Sequence, residues 1–161
     1  MNPSTPPLYY TDLMTLYGAP SQAGFGSAVF YDVIKPGADL EPIALRYYQH
    51  FVGDRWERFG ESAWMSVWRQ VYARSSGVKP DIVAELKAIV DPAAVQYVPV
   101  LLLADTDDHA KAQQVLAAVF DNPRMTNLSV YAIGDGAAMS GLLVAGYCLP
   151  SEVTILISLL D

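Results

Sequence analysis

Apolar positions along this chain follow one rhythm in its first half and another in its second. Residues 1–26 are rich in proline and glycine and read as an irregular arm, within which YYTDLMTLYG at 9–18 has the composition of a short helix closed by Gly18. The segment SAVFYDVI at 27–34 combines β-branched and aromatic residues and ends at Lys35-Pro36-Gly37, which predicts a strand and a turn. From Leu40 the spacing becomes helical. Leu45, Tyr48, Val52, Trp56 and Phe59 recur at three- and four-residue steps, predicting a helix near 42–59 that Gly53 weakens in its middle. Trp64, Val67, Trp68, Val71 and Tyr72 repeat the pattern behind Ser62 and predict a helix near 62–75. Ile82, Val83, Leu86, Ile89 and Val90, between Pro80 and Pro92, predict a third near 81–90. Burial in such a helical layer accounts for Trp56, Trp64 and Trp68 without a ligand.

The second half reads mostly as strands. YVPVLLLA at 97–104 is an apolar run that predicts a strand, with Pro99 placing its start at a sheet edge or bulge. A helix near 108–121 follows, with Ala112, Val115, Leu116, Val119 and Phe120 inward and Asn122-Pro123 as its stop. Three apolar segments then crowd together: NLSVYAIG at 127–134, SGLLVAGY at 140–147 and EVTILISLL at 152–160. Their connections are too short for a helical crossover, so the three should form an antiparallel meander. Reading GAAMSGLLVAGY as a helix is disfavoured by Gly141 and Gly146, each costing roughly 1 kcal/mol in a helix interior. The fold expected is α+β (or α/β): one globular domain over 27–161 behind the arm, its mixed sheet built mainly from the C-terminal half and covered by the helices.

Composition narrows the partners. Hydrophobic residues make up 52% of the chain and charged ones 17%, against roughly 25% in ordinary soluble domains, so a large core is available and apolar surface is left over for a partner or a homo-oligomer. The one cysteine, Cys148, has no intramolecular mate, and no charged segment followed by an apolar stretch opens the chain; a cytoplasmic protein is expected. No apolar stretch approaches the ~20 residues that span a bilayer. Residues 1–90 carry eight Lys and Arg against nine Asp and Glu, whereas residues 91–161 carry only Lys111 and Arg124 against eight acids. That asymmetry repels nucleic acid and anionic membrane and favours a basic protein surface.

The acids concentrate at Asp105, Asp107 and Asp108, directly after the apolar run, with a fourth at Asp135 between two glycines. VLLLADTD and YAIGDG together resemble motifs of the haloacid-dehalogenase-like phosphotransferases. That resemblance implies a nucleophile at Asp105, an acid/base at Asp107 and a magnesium ligand at Asp135. The chain departs from that pattern in the 30-residue separation of the two motifs, and in Ala137, Ala138 and Met139 where a further carboxylate belongs. In the plainer alternative, Asp107 or Asp108 caps the next helix and GDG is a turn. His50, His109 and Cys148 lie at no metal-ligand spacing, so neither a transition metal nor another cofactor is expected. With no catalytic set evident, the expectation is a non-enzymatic, acidic protein-binding module of inhibitor or immunity type. It would neutralise a basic partner such as a toxin nuclease through Asp105, Asp107, Asp108 and Asp135. The alternatives are a small magnesium-dependent phosphotransferase or hydrolase using Asp105, Asp107 and Asp135, and a structural subunit of a homo-oligomer.

Overall fold

The three apolar segments of the C-terminal half pair as their short connections require. In the computed structural model, which describes residues 8–18, 22, 25–74, 77–148 and 150–160, they form β3 (Met125–Gly134), β4 (Ser140–Cys148) and β5 (Glu152–Leu160). β1 (Gly26–Val33) joins β5 and β2 (Arg69–Ala73) joins β3, giving a five-stranded sheet in the order β1-β5-β4-β3-β2. The helices are α1 (Leu8–Tyr17), α2 (Leu40–Val52), α3 (Asp54–Phe59), α4 (Glu61–Trp64), α5 (Ile82–Lys87), α6 (Val98–Leu101) and α7 (His109–Phe120), with one 3-10 turn at Val95–Tyr97. The architecture is α+β with the sheet mostly in the C-terminal half, as its apolar pattern predicts.

Helices cover both faces of the sheet. Along β5, Leu156 points into a core shared with α1, α5, α6 and α7, while Ile155, Ile157 and Leu159 point into a second core shared with α2, α3 and α4. Strands enclosed on both sides lose the apolar-polar alternation of an ordinary antiparallel sheet, which is why these segments read as continuous apolar runs. The helices expected to form one layer over 40–90 are therefore split between the faces.

Three expectations are corrected. First, residues 97–104 are not a strand: the 3-10 turn and α6 occupy 95–101, followed by turn structure. Ala94, Val98, Leu101 and Leu102 are buried at helical intervals, and Pro99 sits at the start of the helix, where its missing N–H costs nothing. A short apolar run does not distinguish helix from strand by periodicity. Without that strand no parallel pairing occurs among the described residues, and the five-stranded sheet is antiparallel rather than mixed. Second, the helix expected near 62–75 is one turn, α4, followed by β2. The register of β2 against β3 slips between Gln70 and Tyr72, so that Val71 and Tyr72, although adjacent, both pack into the first core. That bulge imitates helical spacing in the sequence. Third, the helix near 42–59 breaks into α2 and α3 at Gly53, whose φ of 66° only glycine adopts readily.

A buried ion pair fastens β2 to the first-face helices. The Arg74 guanidinium donates to both oxygens of Glu85, at 2.9 and 2.6 Å, and to the carbonyl of Phe120 at 3.0 Å. Glu85 also accepts from the Tyr72 hydroxyl at 2.5 Å and the Asp81 N–H at 3.1 Å. On the second face, Trp68 lies between the rings of Tyr131 and Tyr48, with centroids 4.6 and 5.5 Å away. The Tyr48 hydroxyl donates to the carbonyl of Trp64 and accepts from the Gly134 N–H.

These buried phenols make the fold sensitive to alkali. Burial raises the hydroxyl pKa of Tyr17, Tyr48 and Tyr131, and burial together with the neighbouring carboxylates Asp32 and Glu85 pushes Tyr47 and Tyr72 up to about 12. A folded pKa above the unfolded one stabilises the protein fully below the unfolded value, near 10, and the contribution is lost as pH rises through the folded value. We expect unfolding monitored by circular dichroism to coincide with tyrosinate absorbance above about pH 10. Titration of all the tyrosines near their ordinary value with the fold intact is the contrary result.

Candidate functional site

Residues 89–109 form a single continuous excursion on the first face, beginning at buried Ile89. Asp91 starts it by accepting from the Ala93 N–H at 2.8 Å, while its backbone carbonyl takes the N–H groups of Ala94 and Val95. Arg69 on β2 grips the Asp91 carboxylate with two bonds, at 2.8 and 2.6 Å, and these hydrogen bonds hold that carboxyl below its usual range.

The helical turn that follows is mostly apolar, its polar side chains being the exposed Gln96 and the half-buried Tyr97. Ala94, Val98, Leu101 and Leu102 face the core, while Val95 and Val100 remain 45% and 41% exposed on the outside beside Pro99. Just before Asp91, Val90 is 86% exposed. The turn closes as a Schellman motif: the Leu103 N–H donates to Val100 and the Ala104 N–H to Pro99, at 3.1 and 2.9 Å. Such a close needs a left-handed residue, and Leu103 supplies it at φ 53° where glycine is usual. Strain of roughly 1–2 kcal/mol is the ordinary cost of that conformation for a residue with a side chain.

Asp105, Asp107 and Asp108 then leave the surface on a turn held by other groups. The Thr106 hydroxyl donates to the Leu103 carbonyl at 2.9 Å and accepts from the Asp108 N–H at 3.1 Å. His109 ties the turn to α6. Its Nδ1 contacts the Leu102 carbonyl at 3.1 Å and its Nε2 meets the Gln113 amide at 3.0 Å. Asp108 stands at the N-cap of α7, yet its side chain accepts no capping bond. Among the described residues, none of the three carboxylates has a hydrogen-bond or ion-pair partner, and all three are exposed.

Asp135 lies elsewhere in role and place. Its carboxylate accepts from the N–H groups of Ala137 and Met139, at 2.9 and 3.0 Å, and so builds the β3–β4 turn. That turn sits with α2 and α4 on the second face, where Met139 is part of the core and Tyr48 bonds Gly134. The structure therefore groups Asp105, Asp107 and Asp108 and leaves Asp135 out. No three His, Cys, Asp or Glu side chains among the described residues gather into a group able to hold a metal ion.

The remaining candidates are structural. Trp56 and Trp64 are buried, Trp68 is sandwiched, and burial raises the pKa of the Cys148 thiol away from nucleophilic use. The exposed aromatic residues Phe25 and Phe59 are associated with α3 and α4, Phe25 under the Arg55 guanidinium and Phe59 edge-on to Trp64, and so belong to the second face. A surface hollow of about 410 Å³ between the start of α2 and the 126–129 end of β3 offers amides and hydroxyls; its one charged lining group, Arg74, is committed to Glu85. No helix among the described residues is long and apolar enough to cross a membrane. No protein-family model matches the chain, and no curated protein or solved structure matches it.

The exposed valines are what sequence reasoning missed beside the acids. Nothing in the run VPVLLLA distinguishes a valine facing the core from one facing water, because the distinction requires the period, which the run hides.

Proposed function

We propose that this protein is a non-enzymatic binding module that engages a basic protein surface through Asp105, Asp107 and Asp108, in the manner of an inhibitor or immunity protein. The observation that carries this reading is that three carboxylates within four residues stand exposed and unanswered on a turn fastened at both ends, although the fold draws no capping bond from them. Like charges held close together oppose one another, and a cationic partner removes that cost while gaining a pre-positioned anionic site. The excess of acids over residues 91–161 extends the same field. The phosphotransferase alternative has no comparable support, since Asp105 leaves a helical turn and Asp135 is spent on its own hairpin.

The test is the triple substitution of Asp105, Asp107 and Asp108 by Asn. Because none of them caps α7, the variant should retain wild-type stability to within about 0.5 kcal/mol in urea. In a pull-down from the source cell's lysate, the wild type should capture a basic protein at low salt and release it at high salt, and the variant should capture little of it. Equal capture by both proteins contradicts the proposal.

A further inference from the structure

The outer face of the turn at 95–101 sets apolar side chains in water. Three apolar side chains of this short segment, Val95, Pro99 and Val100, are exposed along with the polar Gln96, and Val90 stands out just ahead of them in the chain. Chemistry beside that face indicates what would cover it. From Ile89 to Ala110 the chain contains no Lys or Arg; of its four acids, Asp91 is answered by Arg69, and Asp105, Asp107 and Asp108 are not.

We infer that Val90, Val95, Pro99 and Val100 are the apolar floor, and Asp105, Asp107 and Asp108 the anionic rim, of a docking surface for an amphipathic basic segment of a protein partner. This rests on the binding reading above and adds the partner's chemistry: apolar side chains on one face, with Lys or Arg beside them. Charge decides against the other occupants. A second copy docked through the same patch sets six unanswered carboxylates against one another in a chain of net charge -7. Nucleic acid and anionic lipid are repelled by the same rim. For the basic segment, the rim speeds encounter and the valines, once desolvated, hold the complex.

The experiment uses two fluorescent synthetic peptides of identical Leu and Lys content, one patterned so that a helix presents a leucine face and one scrambled to have none. Wild-type protein should bind the patterned peptide at least about tenfold more tightly, the advantage expected when a few methyl-bearing side chains are buried. Val95→Ser with Val100→Ser should abolish that preference while the scrambled peptide binds as before. Val90→Ser, at a position too exposed to disturb the fold, should reduce it in the same direction. The Asp105, Asp107 and Asp108 to Asn variant should weaken both peptides and preserve their ratio. Equal binding of the two peptides by wild type, or a preference that survives all the valine substitutions, overturns the inference. An Asn variant that binds both peptides as tightly as wild type instead overturns the acidic reading beneath it.

Discussion

Glu85→Ala should lower the unfolding free energy by about 3–5 kcal/mol, the usual consequence of stranding one member of a buried ion pair. Arg74 and Glu85 have side chains only 2% and 7% exposed, so the arginine left behind is charged, dry and without its bidentate partner. Tyr72 and the Asp81 N–H lose their acceptor in the same substitution, and with them the tie between β2 and α5. The pair is nonetheless not a large net source of stability, since desolvation of both ions offsets most of their attraction. Replacing both residues together by apolar ones of similar size should therefore cost much less than either single change. Urea titrations of the two single variants and the double variant decide it. Additive losses would show that the two side chains act independently and that the account of this contact is mistaken. Acid adds a second signature. Burial alone raises the Glu85 carboxyl, but the hydrogen bonds from Arg74, Tyr72 and Asp81, with the Arg74 charge, outweigh it and hold its pKa below the usual value. That contribution to stability is present above the unfolded carboxylate pKa and is lost as pH falls through the folded one.

Gly141→Ala should prevent folding or destabilise by more than about 4 kcal/mol, which places it among the severe single substitutions. A methyl built at that position lies 1.8 Å from the carbonyl oxygen of Ser158 on the paired strand β5. Both strands are interior to the sheet, and the atom struck is backbone, so relief requires parting the β4–β5 ladder itself. Gly146→Ala is the matched control. Its methyl meets the Met125 sulfur at 2.5 Å, the far end of a flexible side chain, and the loss should stay within the roughly 1–3 kcal/mol of ordinary overpacking. Soluble yield and urea midpoints of the two variants separate the cases; similar losses would mean that β5 adjusts to the methyl.

Where the chain announces its fold, the signal lies in short connections and turn residues. Five residues between β3 and β4 and three between β4 and β5 allow only hairpins, and Gly141, unfavourable in a helix, marks a strand whose neighbour comes too close for a side chain. The errors have equally local causes. In β2 a bulge turned Val71 and Tyr72 to one side and produced helical spacing in a strand. In the 97–104 run, Pro99 belonged to the first turn of a helix, and the closing left-handed residue was Leu103, which carries none of the usual glycine signature. The candidate site was half legible for the same reason. Three adjacent aspartates are conspicuous in any sequence, and water exposure of carboxylates is the expected state. Asp135 looked equivalent to them until its turn absorbed it. The valines beside the acids gave no sign, because a residue type suited to the core does not declare which side of a short helix it faces.

Steering of a basic partner to this face by the turn at 105–108 is measured directly by stopped-flow association with the captured partner over a range of ionic strength. Steering by unscreened charge predicts an association rate constant that falls steeply with salt for the wild type and shallowly for the Asp105, Asp107 and Asp108 to Asn variant, with the dissociation rate changing much less in both. Identical salt dependence of association in the two proteins would contradict the account.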